Sequence, residues 1–181
     1  CINKNDRNGK IIFLYFHFEI QSTFKMHKLI IKLRSKLLVY LTHQMALPVL
    51  RLIRKPELFP YKTEELKNFP EQTLGKDLFN FLDEKQLELL PYYARHDIKH
   101  ILLGYDTTDE GEGCLQCFML GNRHVSFPVI ATVLYGFITM PEYWGSFKKA
   151  FQRGKKCSPI SNWKWFEILD QPTEILKLQI K

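Results

Sequence analysis

Four cysteines in 181 residues are too few to staple a chain of this size. With 45% of its residues hydrophobic the chain can build a core without them. A disulfide framework is therefore excluded as the organising principle, and a reducing compartment suits all four thiols. A bilayer-spanning run is also missing. The longest uncharged stretch, residues 125–141, has 17 residues and contains Pro128, Gly136 and Pro141, short of the roughly 20 apolar residues that a membrane helix needs. Internal repeats, low-complexity tracts and sustained strand-like alternation are absent too. What is left is one packed domain, all or mainly α, of a length that a single core accommodates.

Acidic residues are lacking altogether between Glu19 and Glu57, while Lys25, Lys28, Lys32, Arg34, Lys36, Arg51, Arg54 and Lys55 fall there. Those eight charges exceed the net charge of +7. They interleave with Leu29, Ile30, Leu33, Leu37, Leu38 and Leu41 at a spacing that puts aliphatic groups on one side of a helix and cations on the other. Such a helix docks on a membrane surface or a partner, or packs its apolar side on the core with a solvated basic back. An exposed apolar face there would also permit a homodimer. Nucleic acid is not the expected partner, because no helix-turn-helix or RNA-binding signature accompanies the charges. Residues 1–25 read as a leader or upstream translated sequence outside the fold, with a partial targeting segment as the alternative. Residues 26–181 are expected to form the single helical domain.

Punctuation divides that domain. Pro48, Pro56, Pro60 and Pro70 break one region into short pieces, and "LGKDLFNFLDEKQLELLP" then places Leu74, Leu78, Phe81 and Leu82 at helical spacing. Cys114 and Cys117 form a CxxC, which invites a redox or zinc reading. With Leu115, Phe118 and Met119 around them and no second CxxC, two core-facing residues on a helix is the preferred one. Residues 125–141, rich in Val129, Ile130, Val133, Leu134, Phe137 and Ile138, are expected to be a buried core helix.

The chemistry concentrates in "RHDIKHILLGYDTTDEGE". On a helix His96 and His100 lie one turn apart on one face, with Asp97 on the adjoining flank. Gly104 should stop that helix. Thr107 and Glu110 have the spacing of a capping box that would start another. Glu112 then sits in its second turn, and two antiparallel helices joined by a short turn bring it to the histidines. Gly111 and Gly113, unfavourable inside a helix, point to close approach there. His96, Asp97, His100 and Glu112 are thus candidate ligands for a divalent metal. Two imidazoles and two carboxylates suit zinc, iron or manganese and can leave a position open. An exposed polar helix face is the alternative reading.

The same stretch, with its HDxxH, eleven residues, E pattern, resembles the Coq-four family of ubiquinone (coenzyme Q) biosynthesis proteins. "FPEQTLGKDLFNFLDE" and "FQRGKKCSPISNWKWFEILDQPTEIL" resemble the family's flanking segments, so the likeness runs from Pro48 to the end. The resemblance implies an all-α protein that binds a divalent metal, usually zinc, through those four residues. It also implies a part in coenzyme Q synthesis: handling of a prenylated hydroxybenzoate, with oxidative decarboxylation at C1, or organisation of a quinone-biosynthesis complex with other such proteins. Its implied place is peripheral on a membrane, at the cytoplasmic inner face in a bacterium or the matrix side of the mitochondrial inner membrane in a eukaryote. Two alternatives stay open: a non-catalytic lipid- or quinone-binding scaffold with a structural metal, and an HD-type metal phosphohydrolase, for which His43 and Asp170 are poor further ligands.

Overall fold

Side chains that pattern at helical spacing form helices here, and neighbouring residues supply the backbone partners that helix ends lack. A computed structural model describes residues 28–37, 40, 58–90 and 92–181. The expected leader, residues 1–25, and Lys25, Arg51, Arg54 and Lys55 lie outside the described residues. Residues 28–37 are helical and form α1. Next come α2 (Thr63–Lys67), α3 (Leu74–Lys85), α4 (Ala94–Leu103), α5 (Asp109–Gly121) and α6 (Phe127–Thr139). A 3-10 turn (Pro141–Tyr143), α7 (Trp144–Lys156) and α8 (Thr173–Ile180) complete the order. Among the described residues the β pairing is one isolated bridge, Thr73 to Pro172. The protein is all-α, as its patterning predicts.

The stretch after Pro70 becomes one helix, α3. The Thr73 side chain accepts the Lys76 N–H at its start, the role for which threonine suits an N-cap. Leu74, Leu78 and Leu82 are buried along one face. Backbone hydrogen bonds from Leu74 to Gln171 at 3.0 Å, from Gly75 to Leu169 at 2.7 Å and from Thr173 to Gln72 at 3.0 Å join this start to the C-terminal segment. The two flanking segments singled out in the sequence are thus neighbours in space.

The core is centred on α5, whose Leu115, Phe118 and Met119 are fully buried and which packs most extensively on α7. Two glycines allow that approach. A Cβ at Gly121 would overlap the Phe151 carbonyl, and one at Gly154 would overlap the Phe118 carbonyl. Asn122 closes the crossing: its Nδ2 donates to the carbonyls of Gly154 at 3.1 Å and Ser158 at 3.0 Å, and its Oδ1 accepts the Ile160 N–H at 2.9 Å. Every polar atom of this buried amide has a partner, which is what makes its burial affordable. Cys114 and Cys117 are buried free thiols on α5.

One expectation changes, and one open alternative narrows. The uncharged stretch is helical, but α6 buries only Val129, Thr132 and Gly136. Phe127, Ile130, Leu134, Phe137 and Ile138 are 48–68% exposed. The helix lies on the outside of the core, and an apolar run without polar interruptions carries no signal of which side is covered. Of the two readings of α1, docking and core packing, the described residues set the aliphatic side outward. Leu29, Ile30, Leu33 and Leu37 are exposed, while Arg34 is buried at 8%. Among the described residues no helix is long and apolar enough to cross a membrane.

Candidate metal centre

The turn between α4 and α5 fixes the site. Gly104 ends α4 with φ 70° and donates its N–H to the His100 carbonyl at 2.9 Å, a left-handed cap that glycine adopts without steric cost. The start of α5 falls one residue later than the Thr107–Glu110 box predicts. Asp106 accepts the Thr108 N–H at 3.0 Å, and the Thr108 side chain accepts the Gly111 N–H at 3.1 Å. Aspartate's own turn takes the first donor and moves the cap to Thr108. Gly111 has a different reason from the one expected, because a Cβ there would meet the Asp106 carboxylate and carbonyl. Gly113 does serve close helix approach, but toward Phe147 of α7 rather than toward α4.

The turn brings three of the four predicted side chains to one point. His96 Nε2 lies 3.2 and 3.1 Å from the two Glu112 oxygens, and His100 Nε2 lies 3.1 Å from Oε1. The two Nε2 atoms are 3.0 Å apart. His96, His100 and Glu112 each offer a ligand atom within 4.8 Å of the others. The His100 side chain is sealed at 1% exposure, while His96 at 31% and Glu112 at 24% leave one side open. Phe81 stacks parallel to the His100 ring with centroids 6.2 Å apart.

The donor chemistry fits a metal ion. His100 Nδ1 sits 2.9 Å from the Tyr105 carbonyl oxygen. A carbonyl only accepts, so Nδ1 carries the proton and Nε2 of the neutral ring is a lone pair. That lone pair faces a carboxylate oxygen at 3.1 Å, which is repulsive unless a cation lies between them. Either a second proton or a metal ion satisfies the arrangement. A backbone carbonyl behind a histidine is the usual second partner of a metal-ligating imidazole.

The titration shifts report the same demand for positive charge. Burial works against a charged His100, yet the hydrogen bond to Glu112 and its charge, the Tyr105 carbonyl and Asp97 together push its pKa up. Burial alone would raise Glu112, but the two imidazoles override it and hold the carboxyl well below the usual carboxylate range. Asp97 stays on the flank of α4 and is not part of the group of three. Burial pushes its carboxyl up to about 6, against the pull of His96 and His100.

Three contributors carried no signature in the sequence. Tyr105 acts through its backbone carbonyl, which every residue has. Phe81 patterned as part of the core. Arg153 of α7 donates to the Leu103 carbonyl at 2.7 Å and lies 5.3 Å from the Tyr105 ring centre, bracing the end of α4 and the turn. Asp170, the later aspartate of a phosphohydrolase reading, is exposed and outside the group. His43 lies outside the described residues. The thiols of Cys114 and Cys117 are pushed by burial up to about 11 and about 12, so both are protonated at neutral pH.

No protein-family model matches the chain. Over 145 residues it is 23% identical to ubiquinone biosynthesis protein COQ4, mitochondrial, of Komagataella phaffii. The match covers 65% of this chain and 46% of that protein, so the chain spans about half the length of the curated relative. The fold is similar to a crystal structure of a proposed ubiquinone biosynthesis protein from Nostoc punctiforme PCC 73102, with a TM-score of 0.57, 17% identity and coverage of 96% of this chain and 97% of that one. The chain resembles the Coq-four family in sequence and in fold.

Proposed function

We propose that this chain is a ubiquinone biosynthesis protein that handles a prenylated hydroxybenzoate at a divalent metal held by His96, His100 and Glu112, with Asp97 on the adjoining flank of α4. The carrying observation is geometric: Nε2 of both histidines and the Glu112 carboxylate converge within 3.0–3.2 Å, with Nδ1 of His100 committed to the Tyr105 carbonyl. The resemblance favours zinc, and the same donors serve iron and manganese. When bound, the metal supplies Lewis-acid chemistry toward a carboxylate or phenolate oxygen of the ring.

The chain's own residues do the rest. Tyr105 holds the His100 tautomer, Phe81 fixes the ring plane, and Arg153 braces the turn that carries both helices' ends. The open side at His96 and Glu112 admits a polar ring, while the sealed side at His100 excludes water. Decarboxylation at C1 is the step that the resemblance implies. The apolar faces of α1 and α6 support a peripheral place on a lipid surface, where the isoprenoid tail of such a substrate resides. Trp144 stacked on Phe137 at 4.6 Å and the exposed Lys148 and Lys149 continue that face in the pattern of an interfacial element. In a eukaryotic host the proposed surface is the matrix side of the mitochondrial inner membrane, and in a bacterial one the inner face of the membrane. Other quinone-biosynthesis proteins or a second copy are further partners for these faces.

A second reading is favoured by the origin of the ligands on two helices. A metal joining α4 to α5 would pin the fold of a non-catalytic quinone-binding scaffold. Elemental analysis of protein purified without added metal, beside His100→Ala and Glu112→Ala, tests both. The expected result is about one equivalent of metal in the wild type and none in either variant. A folded wild type free of metal would overturn the metal reading. Variants that lose metal and unfold favour the scaffold, and variants that lose metal, stay folded and no longer convert prenylated hydroxybenzoate favour the catalyst.

A further inference from the structure

The helix α1 meets the rest of the protein through charge. Its Arg34 is buried, while four of its five aliphatic residues, Leu29, Ile30, Leu33 and Leu37, are exposed and Ile31 is half-buried. The guanidinium donates through Nη1 to the Glu142 carboxylate and to the Thr139 carbonyl, the latter at 3.2 Å. Its Nε lies 3.6 Å from Oδ2 of Asp109, and Ser35 Oγ donates to that same oxygen at 2.6 Å. In return the Tyr135 hydroxyl donates to the Arg34 carbonyl at 2.9 Å. One side chain thus joins the end of α6, the 3-10 turn and the first residue of α5.

We propose that Arg34 is a positioning residue for the metal centre: it latches α1 onto Asp109 and so holds the first turn of α5, on which Glu112 follows three residues later. This rests on the metal reading above.

Stability alone is a poor account of this arginine. Burying an ion pair costs about as much desolvation as it returns, and an apolar side chain of similar size often does as well or better. Here Nε has no hydrogen-bond acceptor, an added cost for a buried donor. Four of the five aliphatic residues of α1 face away from this side, and only Ile31 is half-buried. What a guanidinium offers in their place is direction: Nη1 donates to the Glu142 carboxylate and the Thr139 carbonyl while the charge pairs with Asp109 at 3.6 Å, which together favour one register of α1. With Asp109 held from outside by Arg34 and Ser35, the first turn of α5 gains a restraint beside its own cap, and Glu112 is kept opposite His96 and His100. Whatever engages the outer face of α1 is then linked to metal binding, and the linkage runs both ways.

The test uses the full chain and Co²⁺ as the probe, with affinity measured by chelator competition and the ligand field read from the visible spectrum. Arg34→Met and Asp109→Asn are each expected to weaken Co²⁺ binding roughly 3- to 10-fold and to alter the spectrum, less than the 10- to 100-fold of a direct partner of a ligand, because they act on Glu112 only through the backbone of α5. The double variant should be no weaker than the single ones. Arg34→Lys should recover part of the affinity. Unchanged affinity and spectrum in Arg34→Met and Asp109→Asn, with proteolysis within residues 28–37 accelerated, would overturn the proposal and leave Arg34 as a fastening for α1 alone. A wild type that takes up no Co²⁺, or a His100→Ala variant that binds it equally well, would instead overturn the metal reading on which it rests.

Discussion

The N-terminal end of α5 and the surface beside it solve opposite problems. Where α4 meets α5, polar groups point inward and are held by a backbone carbonyl, an aromatic ring and a tight turn. Along α1 and α6, apolar groups point outward and the inward contact of α1 is a cation. Burying lone pairs without a cation and exposing aliphatic stripes to water both run against folding stability. On the function proposed above, each arrangement is completed from outside the polypeptide: by a metal in one case, by a lipid surface or partner in the other. The comparison teaches that the chain departs from the rules of a self-sufficient globule in these two places, and that they meet at Asp109.

The sharpest way to break the comparison is at the metal end. His100→Ala removes a ligand from the sealed side, and metal affinity should fall by more than about 100-fold, beyond the 10- to 100-fold typical of losing a supporting partner. Isothermal titration with Zn²⁺ measures it, and an unchanged affinity would separate the histidine pair from any metal. On the outer surface, replacing Phe127, Ile130 and Leu134 together by serine should cut co-sedimentation with anionic vesicles about tenfold or more. Folding stability should move by less than about 0.5 kcal/mol per site, as for exposed positions generally. A large loss of stability with intact vesicle binding would mean that this face is core after all.

How much of this was readable differs between the two regions for a physical reason. The approach of His96, His100 and Glu112 was legible because helical spacing and a short loop bounded by Gly104 constrain geometry tightly. The exact cap was not, since Asp106, Thr107 and Thr108 all compete for the same donors and tertiary contacts decide. The Tyr105 carbonyl left no trace because backbone groups are common to all residues. The exposure of α6 and the burial of Arg34 were illegible for a shared reason: hydrophobicity patterns assume water outside and protein inside. A helix that exposes apolar side chains, as α6 does, or one that buries a cation in an ion pair, as α1 does, inverts that assumption.

Between these two regions lies the conventional core, which should behave conventionally. Gly154→Ala forces a Cβ against the Phe118 carbonyl, and overpacking of this kind costs roughly 1–3 kcal/mol. Denaturant unfolding would show the shift, and a neutral result would mean that α5 and α7 can move apart freely. The smallest effect concerns the thiols. Cys114 and Cys117 ionise at about 11 and about 12 in the fold, against 9.0 ordinarily. Above pH 9 the unfolded chain loses protons that the folded chain keeps, so stability should decline modestly as pH rises through that window. Cys117→Ala should flatten the decline, and native alkylation at pH 8 should spare both residues. Rapid labelling of either at pH 8 would mean that α5 opens far more readily than its packing indicates.

X-ray absorption at the metal edge of the protein loaded with one equivalent of Zn²⁺ tests the central claim most directly. The expected shell is nitrogen and oxygen alone, at about 2.0–2.2 Å, with the outer-shell scattering of two imidazoles. A sulfur shell near 2.3 Å would contradict it, moving the metal from His96, His100 and Glu112 to the cysteines.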